Sequence, residues 1–295
     1  MRVLFALVVF SLSAGYGQLR VDASLVLIPV HVTTPFGTSV TNLDKDNFRI
    51  FEDAIEQKIT YFVKDDAPIS IGLLFDASGS MRNKMHRSCE AVASFFKTAN
   101  PADEFFLVKF NERPKLAVSF TPNADELYEY IVRTRPYGQT SLLDAIHLAA
   151  NQMKNARNPR KALVIFSDGG DNRSRHTVSE IKNALVESDV QLYAMGIFDS
   201  DSRKLPAEER NGPQLLQELA EQTGGRHFAI DNIDDLPAIS ARIGTDLRNE
   251  YLFGYSPSNP AKDGKYRRVR LTVAPPKEMP ELRTFYRRGY YAPVD

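Results

Sequence analysis

The sequence predicts an α/β protein: a doubly wound, mostly parallel sheet flanked by a small β domain that the two arms of the chain form together. Three observations lead there. Between residues 68 and 250, apolar runs of strand length alternate with segments whose apolar residues recur at steps of three and four, the pattern of strands joined by crossover helices. Outside that stretch the period changes, and β-branched and aromatic runs are separated by Gly, Pro and Asn signals. The chain has 295 residues, 43% of them apolar, enough to bury a substantial core in one large or two smaller domains.

At the N-terminus, Arg2 precedes the apolar run Val3 to Leu12, and small residues with Gly15-Tyr16-Gly17 precede Gln18. A positive start, a short apolar stretch and small residues at a cleavage point read as a secretory signal peptide over residues 1–17. The run is short for a bilayer, which takes about 20 residues, so no membrane span is expected after cleavage; an uncleaved anchor is the alternative. No cysteine lies near the cleavage point, which argues against a lipoprotein. The expected location is secreted, periplasmic or at the cell surface.

The N-terminal arm, residues 18–67, holds the strand Leu25 to Val32, interrupted by Pro29, and a turn at Pro35-Phe36-Gly37-Thr38. The runs Phe48 to Asp53 and Gln57 to Phe62 predict a hairpin around Ala54 to Glu56. The C-terminal arm, residues 251–295, carries strands at 250–255, 266–274 and 282–291, with loops at Pro257, Asn259-Pro260 and Asp263-Gly264. Segment order suggests that the arms meet in one small sheet or sandwich with the α/β part inserted between them.

Within residues 68–250 the expected order is strand 69–75, helix 81–97, strands 104–110 and 115–120, helices 124–133 and 141–155, strand 161–167 and helix 177–187. Strand 190–197, helix 213–222, a short strand at 226–230 and helix 233–248 complete it. The strands at 104–110 and 115–120 lie too close for a crossover helix and should pair antiparallel. Met81, Met85, Cys89, Val92 and Phe96 mark the buried face of the first helix. Cys89, the sole cysteine, therefore reads as a buried apolar residue rather than a reactive thiol, and it cannot form an internal disulfide.

Chemistry concentrates at the carboxyl ends of these strands, where open α/β sheets bind ligands. Asp76-Ala77-Ser78-Gly79-Ser80 follows the first apolar strand directly. Asp76 and Ser78 could simply cap the next helix. Two further segments point to more. Gly138-Gln139-Thr140-Ser141 puts a hydroxyl at the start of another amphipathic helix, and Ala162 to Phe166 runs through Ser167 into Asp168-Gly169. Parallel strands of one sheet bring such ends together. The donors are hard oxygens, suited to magnesium, calcium or manganese rather than zinc or copper. A shell rich in neutral hydroxyls leaves a dication with uncompensated positive charge, so an incoming Asp or Glu gains more there than at a carboxylate-saturated ion.

Asp76-x-Ser78-x-Ser80, Thr140 in its Gly-Gln-Thr-x-Leu-x-Asp-Ala context, and Asp168-Gly169 resemble the metal-ion-dependent adhesion site of the von Willebrand factor type A domain. The resemblance covers roughly residues 68–250 and implies a Rossmann-like sheet with one divalent cation, usually Mg2+, at its top. Mn2+ or Ca2+ could substitute. It implies that Ser78, Ser80 and Thr140 supply hydroxyl oxygens, that Asp76 and Asp168 bind directly or through water, and that one position stays open for a partner carboxylate. The implied function is an adhesion-type protein-binding module. Val40 to Phe48, Tyr251 to Tyr255 and Arg288 to Pro293 further resemble bacterial proteins described as von Willebrand factor A-related, abundant in Acidobacteria, whose function is poorly characterised.

Other classes fit the residues less well. Charge is balanced, 37 basic against 37 acidic residues, which gives no electrostatic case for nucleic acid. A haloacid-type phosphatase needs a carboxylate where Ser78 stands, and Ala77-Ser78-Gly79-Ser80 lacks the first glycine of a nucleophile elbow. His31, His86, His147, His176 and His227 show no metal-ligand spacing. Hydrolysis at the metal would lack a base, so no enzymatic activity is expected. A scaffold of the cell envelope whose ion only stiffens three loops is the other alternative. Asp171, Asn172 and His176 read as a polar loop capping the helix near Thr177, or as a rim meeting the partner. Asp144 favours the dipole of its helix or supports the site from behind. Asp199, Asp201 and Arg203 to Arg210 read as a solvated loop.

Overall fold

Continuous apolar runs form strands buried on both faces, and alternating runs form strands with one face exposed. The computed structural model describes residues 25–64, 67–168, 170–197, 211–276 and 279–294. The expected signal peptide, Gly169, Asp199, Asp201 and Arg203 to Arg210 lie outside the described residues. In chain order the strands begin with β1 (Val26–Thr33), β2 (Phe48–Glu52), β3 (Ile55–Gln57), β4 (Ile59–Lys64) and β5 (Ile69–Asp76). Then come α1 (Met85–Phe96), β6 (Glu104–Phe110), β7 (Lys115–Thr121), α2 (Ala124–Val132), α3 (Leu142–Gln152), β8 (Arg160–Ser167), α4 (Val178–Ser188) and β9 (Gln191–Ile197). The chain continues through α5 (Gly212–Thr223), β10 (His227–Ile230), α6 (Leu236–Arg248), β11 (Glu250–Tyr255), β12 (Tyr266–Val273), β13 (Arg283–Tyr286) and β14 (Gly289–Tyr291).

The central sheet has six strands in the order β10-β9-β8-β5-β6-β7. All neighbours run parallel except β6 and β7, which pair antiparallel as their short connection requires. Every residue of β5 is buried, the signature of a strand covered on both faces. Its Ile69, Ile71, Leu73 and Phe75 face a cluster with Val92 and Phe95 of α1, Leu127 and Ile131 of α2, and Ile243 and Leu247 of α6. Its Leu74 faces the opposite cluster, filled by Ile146 of α3, Leu185 of α4 and Leu219 of α5. This is the doubly wound α/β class.

The buried arc of α1 is rotated from the expected stripe. Ser88, Ala91, Val92 and Phe95 are buried, while Met85, Cys89 and Phe96 are partly buried at its margin. The helix packs against α6 as well as the sheet, and two neighbours widen and turn the covered face. Cys89 is thus half-buried rather than a core residue, and burial raises its thiol pKa further, with Glu90 beside it.

Strands from the two ends of the chain interleave. One four-stranded antiparallel sheet has the order β13-β1-β11-β4, the other β14-β12-β2-β3, and Ile28, Phe48, Ile50, Tyr251, Phe253 and Leu271 form a cluster drawn from both. The expected hairpin divides here. Asp53 and Ala54, both with positive φ, turn β2 back into the short β3, but β4 leaves for the other sheet and pairs with β11. Sequence alternation is the same on either side of Lys58, so it carries no sign of the switch. Glu52 is buried with the sheets and accepts from Tyr255 (2.9 Å) and Tyr290 (2.7 Å), one hydroxyl from each sheet.

A second buried carboxylate joins the central sheet to β11. Glu250 receives Arg160 Nη2 at 2.7 Å, Gln191 Nε2 at 2.8 Å and the Tyr193 hydroxyl at 3.2 Å. Arg160 also donates to the carbonyls of Ala67 (3.1 Å) and Leu247 (2.5 Å). Arg160→Met leaves Glu250 buried without its charge partner and is expected to cost about 3–5 kcal/mol, read as a lower urea midpoint. Adding Glu250→Gln should recover part of the loss; equal midpoints for wild type and Arg160→Met would refute the assignment.

Candidate metal centre

Asp76 ends β5, between β8 and β6, so its carboxylate stands at the middle of the sheet's carboxyl edge. It is fully buried. Oδ1 accepts from the Ser78 amide (2.8 Å) and Oδ2 from the Ser167 hydroxyl (2.6 Å). The buried Ser78 and the exposed Ser80 lie next along the turn, their hydroxyls 3.0 Å apart. Burial and the nearby Asp168 carboxylate push the Asp76 pKa up to about 7, against the pull of its hydrogen bonds. A buried carboxylate beside a second negative charge is costly to ionise, and a cation placed there removes that cost. The chemistry of the donor set, two carboxylates and hydroxyls, therefore fits a hard divalent ion.

Backbone bonds stitch the three loops together. Ala77 N donates to Phe110 O (2.7 Å), Tyr137 N to Ala77 O (2.9 Å) and Gly79 N to Gly138 O (2.9 Å). Gly138 has φ +77°, a left-handed backbone that favours glycine. Thr140, two residues on, is buried. Its amide donates to Asn172 Oδ1 (2.9 Å) and its carbonyl accepts from Asn172 N (3.1 Å). Ser141 donates through both its amide (2.8 Å) and its hydroxyl (2.6 Å) to Asn111 O, so it braces the loop from behind.

The loop after β8 is tied to α3 rather than to its own helix. Thr177 and Glu180 form the capping box of α4 by themselves. Asp171 instead accepts from Leu143 N (2.8 Å), capping α3, and from Ser174 N (3.1 Å). Asp144 accepts from the amides of Arg175 (3.0 Å) and His176 (3.1 Å) and contacts His176 Nδ1 at 2.7 Å. Burial opposes its ionisation, but these bonds hold its carboxyl below the usual value. The His176 ring stacks on His147 with centroids 3.9 Å apart. The reading of Asp171 and Asn172 as caps of the helix near Thr177 is corrected accordingly: their partners lie across the loop.

Sequence reasoning missed two residues of the site. Ser167 reads in the sequence as the last residue of a strand, and its place beside Asp168 is the available signal. Lys84 carries none in the sequence. It precedes α1, is buried, and holds Nζ 3.5 Å from Asp168 Oδ2. Among the described residues no group of three or more His, Cys, Asp and Glu side chains could hold a metal ion, so any ion here would depend on hydroxyl oxygens beside the two carboxylates.

Comparison with known proteins identifies the class. Residues 71–170 match the family model described as von Willebrand factor type A domain, a stretch that contains Asp76, Ser78, Ser80, Thr140 and Asp168. Domains of this family often serve protein–protein interaction. A von Willebrand factor type A structure from Catenulispora acidiphila is similar with a TM-score of 0.52 and 13% identity, over 82% of this chain and 73% of that one. Proximal thread matrix protein 1 from the mussel byssus gives 0.52 and 18%, over 66% and 49%. An uncharacterized protein of Borreliella burgdorferi is 21% identical over 188 residues, 56% of this chain and 55% of that protein; the match thus spans about half of the relative's length. Residues 71–170 thus match a von Willebrand factor type A domain, and the α/β fold is of that type.

The raised pKa of Asp76 has a sign that can be checked. Between its unfolded value of 3.8 and about 7, the metal-free folded protein retains a proton that the unfolded chain has released. Stability of the EDTA-treated protein should therefore fall as pH rises through that window. Urea midpoints at about pH 5 and about pH 7.5 measure it, and Asp76→Asn should flatten the slope. An unchanged slope in the variant would assign the effect to another group.

Proposed function

We propose that the protein is a secreted or periplasmic, non-enzymatic, divalent-metal-dependent binding module whose ion presents an open coordination position to a carboxylate of a partner protein. The observation that carries the reading is the pairing of the fully buried Asp76 with Asp168 at the sheet's carboxyl edge, on a turn that also bears Ser78 and Ser80. Asp76, Ser78, Ser80, Thr140 and Asp168 would hold the ion, with Mg2+ as the leading candidate. Hydroxyls do not cancel its charge, which favours an acidic ligand over a closed, structural site. The match of residues 71–170 to an interaction domain supports protein binding, and Arg2 with the apolar run after it supports export. No helix among the described residues is long and apolar enough to cross a membrane.

Calorimetric titration of EDTA-stripped protein with Mg2+ and Mn2+ tests the metal. Saturable binding is expected for the wild type and its loss for Asp168→Ala and Thr140→Ala, with circular dichroism unchanged. Wild-type protein that takes up neither ion would refute the reading. Variants that unfold outright would instead favour a structural ion.

A further inference from the structure

Lys84 has a fixed backbone and a long side chain directed into the site. Its amide donates to Met81 O at 2.8 Å, and its carbonyl accepts from Ser88 N at 2.9 Å, the bond that leads into α1. The side chain is only 8% exposed and meets an Asp168 carboxylate that is 14% exposed, at 3.5 Å. An ammonium is held out of water only where compensating charge repays its desolvation, and here the Asp168 carboxylate supplies such charge. Lysine is a point charge on a flexible stem, so its head can withdraw without any shift of the helix start.

The same ammonium is ill suited to share the site with a dication. It has three donors and no lone pair, so it cannot enter the oxygen shell, and at a few ångströms it repels the ion that Asp168 would attract. We propose that Lys84 is a tethered cation that neutralises Asp168 in the metal-free protein and is displaced from it when a divalent ion binds, thereby setting the metal affinity. The inference rests on the metal-binding reading above. It gives the chain two states. In one, the carboxylates are balanced from within. In the other, the ion and the released ammonium both offer positive charge to an acidic partner. Occupancy then follows the free metal concentration over a higher range than the oxygen donors alone would set.

The test is calorimetry with Mn2+ on EDTA-stripped wild type, Lys84→Met and Lys84→Arg, beside thermal unfolding with and without the ion. Lys84→Met should bind Mn2+ at least about tenfold more tightly. It should unfold at a lower temperature than wild type when metal-free, with the gap closing at saturating metal. Lys84→Arg keeps the charge and should stay near wild type. If Lys84→Met does not yield folded protein, Lys84→Gln takes its place with the same expectation. Unchanged or weaker Mn2+ binding by the neutral variant, or equal tightening by Lys84→Arg, would overturn the role of Lys84 while leaving the metal site standing. Failure of wild type and neutral variant alike to bind Mn2+ would overturn both.

Discussion

The burial of one carboxylate governs this molecule. Asp76 stands at the end of the central strand, with strands on both sides and helical layers on both faces, and nothing there resembles water. Such a group must be hydrogen-bonded, protonated or paired with a cation. The Ser78 amide and Ser167 hydroxyl meet the first need, and Asp168 sharpens the third by adding like charge nearby. The loops that carry Ser78, Thr140 and Asp168 are held by bonds that cross from one loop to another, through Gly79 to Gly138 and Asn172 to Thr140. These cross-loop bonds fix the edge, which lowers the ordering cost of binding there.

Lys84 changes the charge balance of that edge. An arrangement of buried carboxylates without a cation would destabilise the metal-free fold, and an internal ammonium moderates the penalty while competing with the ion. The same physics recurs at the other end of the sheet, where Arg160 and two neutral donors surround Glu250. There the geometry is closed: charge is matched by a fixed guanidinium that also grips two carbonyls. The buried Glu250 is therefore locked by an arginine, whereas Asp168 meets the single ammonium of a lysine, in keeping with the different geometry of the two cations.

The interleaved arms bind the chain's ends to one another. β1 pairs with β11 and β13, and β2 with β12, so contacts of long sequence separation hold the two outer sheets together. Because β11 follows α6 without a linker and begins at Glu250, the outer strands are coupled to the central sheet through the same buried acid. Movement of α6 relative to the sheet would therefore be felt at β11.

Much of this was legible in the sequence. The strand–helix alternation gave the doubly wound sheet, since a strand buried on both faces must be a continuous apolar run and a helix packed on one face must repeat near 3.6. The short link at Asn111 to Pro114 forced the antiparallel β6–β7 pair. Adjacent sequence also marked Asp76, Ser78, Ser80, Thr140 and Asp168 as candidate ligands, because each sits where a strand or turn ends, and titration with metal is what tests that reading. Tertiary structure alone decided the rest. The departure of β4 to the second sheet, the capping of α3 by Asp171, the stacking of His147 on His176 and the approach of Lys84 to Asp168 all join residues remote in sequence, or depend on which of two equivalent faces a neighbour covers. Local periodicity records which side of an element is apolar. It does not record what lies across from a polar side chain, and in a buried site that partner determines the chemistry.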